Sequence, residues 1–298
     1  GIGPAYEDKS TRRGIRFVDL LDPEEFREKV NTIVDEKNFY LKNYLSADPL
    51  DASDIIKQYE TYAERLAPYV TNISIIIDNA IRNGQQILFE GAQGTHLDID
   101  HGTYPFVTSS NTLAGNACCG AGIGPRSITD VNGIVKAYTT RVGAGPFPSE
   151  LFDEIGDRIQ EKGAEFGATT GRKRRCGWLD TVILRNSVRL NGLTGLTITK
   201  LDVLGGLKSL KICTGYQYKD KILNDFPASL KILGECKPFY ETVPGWEEDI
   251  SDTKKMNDLP ANVKNYLSRS EELTQTPIDL VSVGAERTQT IVKKIPFL

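Results

Sequence analysis

Several patterns that mark common classes of protein are missing from this 298-residue chain. It has no run of about 18 apolar residues, so the sequence predicts neither a membrane-spanning helix nor a membrane partner. Its two histidines and five cysteines show no paired metal-binding spacing, which favours a reduced, cytoplasmic protein without structural zinc and with no metal ligands among these residues. Basic residues do not exceed acidic ones, 36 against 40, so no nucleic-acid partner is expected.

The chain also lacks the Gly-x-x-x-x-Gly-Lys-Ser/Thr loop with which many nucleotide-binding proteins hold phosphates. Its positive charge is instead concentrated in the four consecutive cations of residues 172–175, inside the glycine- and threonine-rich stretch 166–178. Arginine forks match carboxylates and phosphates two bonds at a time, and glycine lets backbone N–H groups approach a ligand. The stretch therefore predicts an anion-binding site. The alternatives are a solvated basic loop or a nucleic-acid patch.

Helical spacing dominates the chain from about residue 20 to 84. Asp22 is expected to cap a long helix, with proline at its first position. A second helical run starts near Asp51, is interrupted at Pro68 and resumes until Gly84. These signals predict a helical subdomain.

Short apolar runs follow and alternate with helical segments. Strands are expected at residues 86–89, 133–138, 196–199, 210–213 and 278–283, with a helix over 181–190 before the third. This alternation predicts an α/β fold with a mostly parallel central sheet and surrounding helices, forming one domain over 1–298 that contains the helical subdomain. Ligands of such sheets bind beyond the carboxyl ends of the strands.

Polar and glycine-rich segments follow three of these strands, at 90–95, 200–202 and 283–287. Asp202 could accept from both the ring N–H and the exocyclic amine of guanine, whereas adenine would leave a buried carboxylate unpaired. Lys200, two residues earlier in an extended chain, is expected on the same side, with its stem on the purine plane. The alternative is a surface Lys–Asp pair.

Hydroxyl and amide side chains crowd residues 98–112, a composition that suits a nucleoside monophosphate. His101 could act as an acid or base, but beside Asp100 we expect a structural hydrogen-bonding role. Asp98 and Asp100 could bind a metal, yet without a third nearby ligand they are expected to cap the loop.

Six motifs in the chain resemble those of the adenylosuccinate synthetase family, in the same order and over nearly its whole length. They are Gly-Ile-Gly-Pro-x-Tyr-x-x-Lys-x-x-Arg at 1–12, Phe-Glu-Gly-Ala-Gln-Gly-Thr at 89–95, Asp-His-Gly-Thr-Tyr-Pro at 100–105, Thr-Arg-Val-Gly-Ala-Gly-Pro-Phe-Pro at 140–148, Gly-Ala-Thr-Thr-Gly-Arg at 167–172 and Thr-Lys-Leu-Asp at 199–202. The resemblance implies a ligase that makes adenylosuccinate from IMP and L-aspartate, with GTP converted to GDP and phosphate. It further implies Mg²⁺ as cofactor, a role in purine biosynthesis and a cytoplasmic homodimer.

Residue roles follow from the resemblance alone. It implies that Arg12 acts in trans, reaching the IMP phosphate in the partner subunit. The full set comprises catalytic roles for Lys9 and Gln93; IMP binding by Arg12, Gln93, Thr108 and Arg172; aspartate binding by Val142, Thr169, Thr170, Arg172 and Arg174; and GTP binding by Arg174, Lys200, Leu201, Asp202, Ser282, Val283 and Gly284.

Two departures from the family pattern qualify this expectation. Ala285 and Glu286 stand where the family usually has Pro-Asp. The family's opening Gly-Asp-Glu-Gly-Lys-Gly loop, which holds the phosphates and Mg²⁺, and a following histidine are both absent. We therefore expect a P-loop-NTPase-like fragment without its amino-terminal part, with the Mg²⁺ ligands in that part and no catalysis by this chain alone. The alternative is a non-catalytic nucleotide- or polyanion-binding module.

Overall fold

The computed structural model describes residues 1–167 and 171–295. Its helices are α1 Gly3–Ser10, α2 Phe17–Leu20, α3 Pro23–Asn43, α4 Ala52–Leu66, α5 Ile73–Arg82, α6 Asn116–Ala121, α7 Glu154–Lys162, α8 Thr181–Asn191, α9 Leu230–Glu235 and α10 Ala261–Thr274. Its strands are β1 Asn132–Lys136, β2 Thr139–Arg141, β3 Arg175–Gly177, β4 Leu179–Asp180, β5 Gly195–Thr199, β6 Leu207–Tyr218, β7 Lys221–Leu223, β8 Lys237–Trp246, β9 Ile278–Ser282 and β10 Thr290–Val292. Among these described segments, no helix is both long and apolar enough to cross a membrane.

The chain divides into two compact units, Gly1–Ala80 and Ile81–Leu298. In the first unit, the Asp22 side chain accepts from the backbone of Glu24 and Glu25, as the predicted helix cap requires. The buried face of α3 packs against apolar side chains of α4; the cluster comprises Leu20, Phe26, Val30 and Val34, with Ala52, Ile55, Ile56, Ala63 and Leu66 against it. The interruption at Pro68 is confirmed as a 3-10 turn, Ala67–Tyr69, between α4 and α5. The predicted subdomain boundary at 84 stays a prediction.

The second unit contains a four-stranded sheet in the order β1-β5-β9-β10. β5 pairs in parallel with both β1 and β9, while β10 is antiparallel to β9. Their apolar side chains share one core with residues of α8 and α10, among them Leu196, Ile198 and Val281. This is the predicted α/β fold with a mostly parallel sheet. The expected helix over 181–190 is confirmed as α8.

A second sheet is built around the long strand β6. β4 pairs with β6 in parallel, and β7 and β8 pair with it antiparallel. The short strands β2 and β3 form a separate antiparallel pair, in which Arg141 lies opposite Arg175. This pair connects the end of the first sheet to the cationic stretch.

The strand predicted at residues 86–89 is wrong. No strand forms there, and the backbone amides of these residues make no hydrogen bond to the described part of the chain. A strand needs a neighbour for its ladder, and apolar sequence alone does not supply one. Leu88 is consequently 70% exposed.

A buried aspartate begins α8. Asp180 is 1% exposed and accepts from the backbone N–H groups of Val182 at 3.0 Å and Ile183 at 3.2 Å. The hydroxyl of Tyr216 donates to its other oxygen at 2.7 Å. Burial raises the pKa of Asp180 to about 6, although the hydrogen bonds oppose this shift. Ionisation of this buried carboxyl therefore lowers the free energy of unfolding, by an amount that depends on pH.

We expect Asp180→Asn to stabilise the protein at pH 8 more than at pH 4. The carboxyl pKa rises from 3.8 in the unfolded chain to about 6 in the folded one, so the wild type loses stability as pH rises between these values. Asparagine also caps helices but does not titrate. The variant should gain about 2.4 kcal/mol relative to the wild type between pH 4 and pH 8, as measured by urea denaturation.

Asp153→Asn is the matched control. Asp153 caps α7 through the same two kinds of bond, to the backbone of Ile155 and Gly156, but its side chain is exposed. Its replacement measures the loss of a charged cap without the burial of that charge. If the difference in free energy of unfolding between wild type and Asp180→Asn does not change with pH, Asp180 does not titrate with a raised pKa in the folded protein.

Candidate active site

The carboxyl ends of β5 and β9 border a cavity of about 460 Å³. Because β1, β5 and β9 are parallel, the residues that follow them meet at one edge of the sheet. The cavity is lined by Lys162, Asp202, Gly205, Gly206, Glu247, Glu248, Asp249, Ile250, Ser251, Val283, Gly284, Ala285 and Gln289. Of the residues predicted for GTP, it brings together Asp202, Val283 and Gly284.

The chain turns sharply where β5 ends. Lys200 has a φ of 61° and is followed by a 3-10 turn, Leu201–Leu204. The expected extended arrangement, with Lys200 and Asp202 on the same side, is therefore wrong. The Lys200 ammonium donates to the carbonyl of Gly163 at 2.9 Å, and the Leu201 side chain is fully buried in the core. The whole residue, backbone included, is 0% exposed, so Leu201 offers no surface to a ligand in this structure.

Two cations of α7 hold the turn that carries Asp202. Lys162 donates to the carbonyls of Asp202 at 2.8 Å and Gly205 at 3.0 Å. Arg158 donates to the carbonyls of Gly205 at 2.8 Å and Gly206 at 3.4 Å. Burial lowers the pKa of Lys162. The backbone of the turn is thus fixed, and Asp202 is among the residues that line the cavity.

The opposite wall of the cavity follows β9. The Ser282 hydroxyl donates to the carbonyl of Gly284 at 2.7 Å, and Val283 donates to the carbonyl of Gln289 at 2.9 Å. A Cβ at Gly284 would collide with the side-chain amide of Gln289. That amide also accepts from Glu286 and donates to Ser251 at 3.2 Å, so the wall is closely packed.

The base of the cationic stretch is a narrow hairpin. Phe166 and Lys173 form an antiparallel bridge, and Arg174 N–H donates to the carbonyl of Glu165 at 2.9 Å. Gly171, with a φ of 62°, donates to the carbonyl of Gly167 at 2.8 Å. Arg172 is exposed and its carbonyl accepts from Gly167.

Two predicted aspartate-binding residues of this stretch, Thr169 and Thr170, lie outside the described residues. A third, Val142, is 45% exposed and directly follows β2. The paired register of β2 with β3 ends with Arg141 opposite Arg175, one residue before Val142.

Arg174 belongs to a buried ionic cluster. Its guanidinium donates to the carboxylate of Glu165 at 2.8 Å, and Lys136, at the end of β1, donates to both oxygens of the same carboxylate. The hydroxyl of Tyr138 donates to it at 2.6 Å. Burial opposes ionisation of Glu165, but these three donors outweigh it and hold its pKa below the usual value.

Arg175 faces a different environment from its neighbours. It forms an ion pair with Glu150, whose side chain is 10% exposed, and donates to the carbonyls of Gly143 at 3.1 Å and Gly145 at 2.9 Å. It therefore ties the loop after β2 to β3, a structural role.

The hydroxyl-rich loop is organised by Asp98, as expected of a loop cap. This fully buried carboxylate accepts from the backbone of Asp100, His101 and Thr112. Thr108 is held through its backbone, whose N–H donates to the carbonyl of Leu97 at 2.9 Å. Its side chain is half-buried. Gln93 is exposed and has a φ of 61°.

Lys9 and Arg12 lie in the first unit. Lys9 is in the last turn of α1, with its ammonium 5.7 Å from the centroid of the Tyr6 ring. Arg12 follows the helix with a φ of 64°, and its N–H donates to the carbonyl of Lys9 at 3.1 Å. Both side chains are exposed.

Several residues of the site were missed by sequence reasoning. Lys162, Gln289 and the acidic segment 247–251 line the cavity, and Lys136 and Glu165 form the ionic cluster. Lys136 could have been found from the sequence, because it is a lysine at the end of an apolar strand, much as Lys200 directly follows β5. The others are brought in by contacts between distant parts of the chain.

Metal ions in proteins are commonly held by groups of ligand side chains. Among residues 1–167 and 171–295, no three His, Cys, Asp or Glu side chains are grouped so as to hold a metal ion.

Comparisons of the sequence and of the structure with known proteins all find the same family. The family model described as Adenylosuccinate synthetase matches residues 1–291. The chain is similar to the adenylosuccinate synthetase of Desulfatibacillum aliphaticivorans, with 63% identity over all of this chain and 69% of the relative. It is also 63% identical to that of Desulforapulum autotrophicum, over 98% of this chain and 68% of the relative. The structure of fully ligated adenylosuccinate synthetase from Plasmodium falciparum superposes with a TM-score of 0.93 and 37% identity, covering 98% of this chain and 69% of that one.

We expect Arg175→Ala to lower the free energy of unfolding by about 1–3 kcal/mol, because it leaves the nearly buried Glu150 and two carbonyls without their donor. Lys173→Ala is the control, since Lys173 carries the same charge on the same stretch but is exposed. Urea denaturation of both variants measures the difference. Equal effects would mean that the Arg175 ion pair contributes nothing beyond its charge.

Proposed function

This chain belongs to the adenylosuccinate synthetase family, and we propose that its described residues perform substrate recognition in the reaction of that family. The family consists of ligases that join IMP and L-aspartate with the use of GTP, a step of purine biosynthesis. Because the chain belongs to this family, we favour substrate binding in a ligase as the role of the cationic stretch, rather than a non-catalytic nucleotide- or polyanion-binding module.

The cavity beyond β5 and β9 is the observation that carries the proposal. Guanine presents a ring N–H and an exocyclic amine side by side, and Asp202 can accept from both. The opposite wall includes Gly284, and we propose that its carbonyl, which accepts from Ser282 and keeps a second lone pair, faces the other edge of the base, with Ser282 and Val283 supporting it. Lys162 and Arg158 keep the turn in place, so binding costs little further ordering.

The cationic stretch is proposed to hold the anionic groups of the substrates. Arg172 serves IMP and the carboxylates of aspartate, while Arg174 serves aspartate and the phosphates of GTP. Val142 would contact aspartate from the neighbouring strand end. Two bonds from each arginine fork to one carboxylate or phosphate fix orientation as well as charge.

Gln93 and Thr108 are proposed to contact IMP, with Gln93 and Lys9 also acting in catalysis. The exposure of Arg12 supports its proposed role in trans, because an exposed guanidinium is accessible to the IMP of a second subunit. We propose a cytoplasmic homodimer on this basis.

Mg²⁺ is the cofactor of the family. We propose that its ligands lie in the part of the relatives that has no counterpart in this chain, about a third of their length, because the described residues contain no group of three His, Cys, Asp or Glu side chains. The metal supplies charge neutralisation in phosphoryl transfer.

The activity of the 298-residue chain tests whether substrate recognition lies in this chain while the Mg²⁺ ligands lie outside it. We expect it to show almost no turnover with IMP, GTP, Mg²⁺ and aspartate, because phosphoryl transfer without metal and acid–base groups loses many orders of magnitude in rate. The chain extended to the full length of its relatives is the control. The absorbance change of adenylosuccinate formation measures both; comparable turnover would show that these residues suffice.

Replacing the guanine-reading carboxylate tests the assignment of the cavity. Asp202→Asn in the active enzyme should weaken GTP use by about 1–3 kcal/mol, because the amide cannot accept two N–H groups. Xanthosine triphosphate should partly restore activity, since its exocyclic oxygen accepts from the new amide. GTP kinetics that match the wild type would remove Asp202 from the site.

A further inference from the structure

Glu165 is a charged side chain in the protein interior, where burial of an unpaired charge would cost several kcal/mol. Its side chain is only 1% exposed, yet it remains a carboxylate because every direction around it is filled by a donor. One oxygen accepts from Lys136 at 2.8 Å and Tyr138 at 2.6 Å; the other accepts from Lys136 at 2.6 Å and Arg174 at 2.8 Å.

The cluster does not balance in charge. Glu165 contributes one negative charge, and Lys136 and Arg174 contribute two positive ones. The two cations are 25% and 29% exposed, so they remain reachable from solvent while the carboxylate between them is not. The cluster therefore presents its excess positive charge outward, which attracts an anion.

Glu165 also fixes the backbone from which Arg174 projects. Its carbonyl accepts from Arg174 N–H at 2.9 Å and from the side chain of Gln160 at 3.1 Å. The bridge between Phe166 and Lys173 follows directly, so this residue closes the hairpin at the base of the cationic stretch. Backbone and side chain of Arg174 are thus both held by one residue.

We propose that Glu165 is a positioning residue, which holds the Arg174 guanidinium in the orientation that binds the anionic groups of GTP and aspartate. The proposal rests on the proposed function of Arg174. The bond to Glu165 engages one end of a group with five donors, and a fixed fork loses less rotational freedom on binding an anion. Glu165 itself touches no substrate.

The experiment compares Glu165→Gln, Arg174→Gln and the double variant in the active enzyme, with separate KM values for IMP, GTP and aspartate. We expect Glu165→Gln to raise KM for GTP and aspartate about tenfold, with KM for IMP within about twofold of the wild type. The double variant should be no worse than Arg174→Gln, because Glu165 acts through Arg174.

Tyr138→Phe is the matched control, since it removes one hydrogen bond from Glu165 and leaves both its charge and its contact with Arg174. Its three KM values should stay near those of the wild type even if its melting temperature falls. If Glu165→Gln fails to fold, Glu165→Asp takes its place, with the same selective increase expected because the shorter carboxylate withdraws from Arg174.

Two outcomes would overturn the proposal and can be told apart. If Arg174→Gln changes KM for neither GTP nor aspartate, the proposed function of Arg174 fails and the role of Glu165 fails with it. If Arg174→Gln is impaired but Glu165→Gln is unaffected, raises all three KM values alike, or adds fully in the double variant, then only the positioning role is lost.

Discussion

The parallel pairing of β5 with β1 on one side and β9 on the other is the constraint on which the site depends. Each strand is short and by itself does not fix the position of the residues that follow it. The shared direction of the three strands brings Lys136, Asp202 and Gly284 to one edge of the sheet. Leu196 and Ile198 of β5 pack in the core, and the hydroxyls of Thr197 and Thr199 on its half-buried face donate to Asn132 and Val135 of β1, so apolar and polar contacts both secure this arrangement.

Helix α7 connects the two halves of the proposed site. Its Arg158 and Lys162 hold the turn beside the cavity, and its Gln160 holds the carbonyl of Glu165 beneath the cationic stretch. The residue after the helix, Gly163, accepts from Lys200. One rigid element thus sets the position of both the base-reading and the anion-binding parts, as expected where a ligand spans two elements.

Sequence reasoning succeeded where a signal is local. The cap at Asp22 and the break at Pro68 depend on the few residues around them, and the apolar run of β9 has the length and composition of a buried strand. It failed where the outcome depends on distant residues. Residues 86–89 have strand composition but no partner in the described chain, and the buried charge of Glu165 is paired with Lys136, a lysine 29 positions away.

The left-handed conformation of Lys200 has an evolutionary consequence. A non-glycine residue at a φ of 61° costs roughly 1 kcal/mol, a cost that glycine would avoid. Glycine, however, has no ammonium to tether the turn to Gly163. Replacement by glycine would exchange this hydrogen bond, worth about 1 kcal/mol, for relief of a similar strain, so selection for stability favours neither residue strongly and the lysine can be retained for its tether.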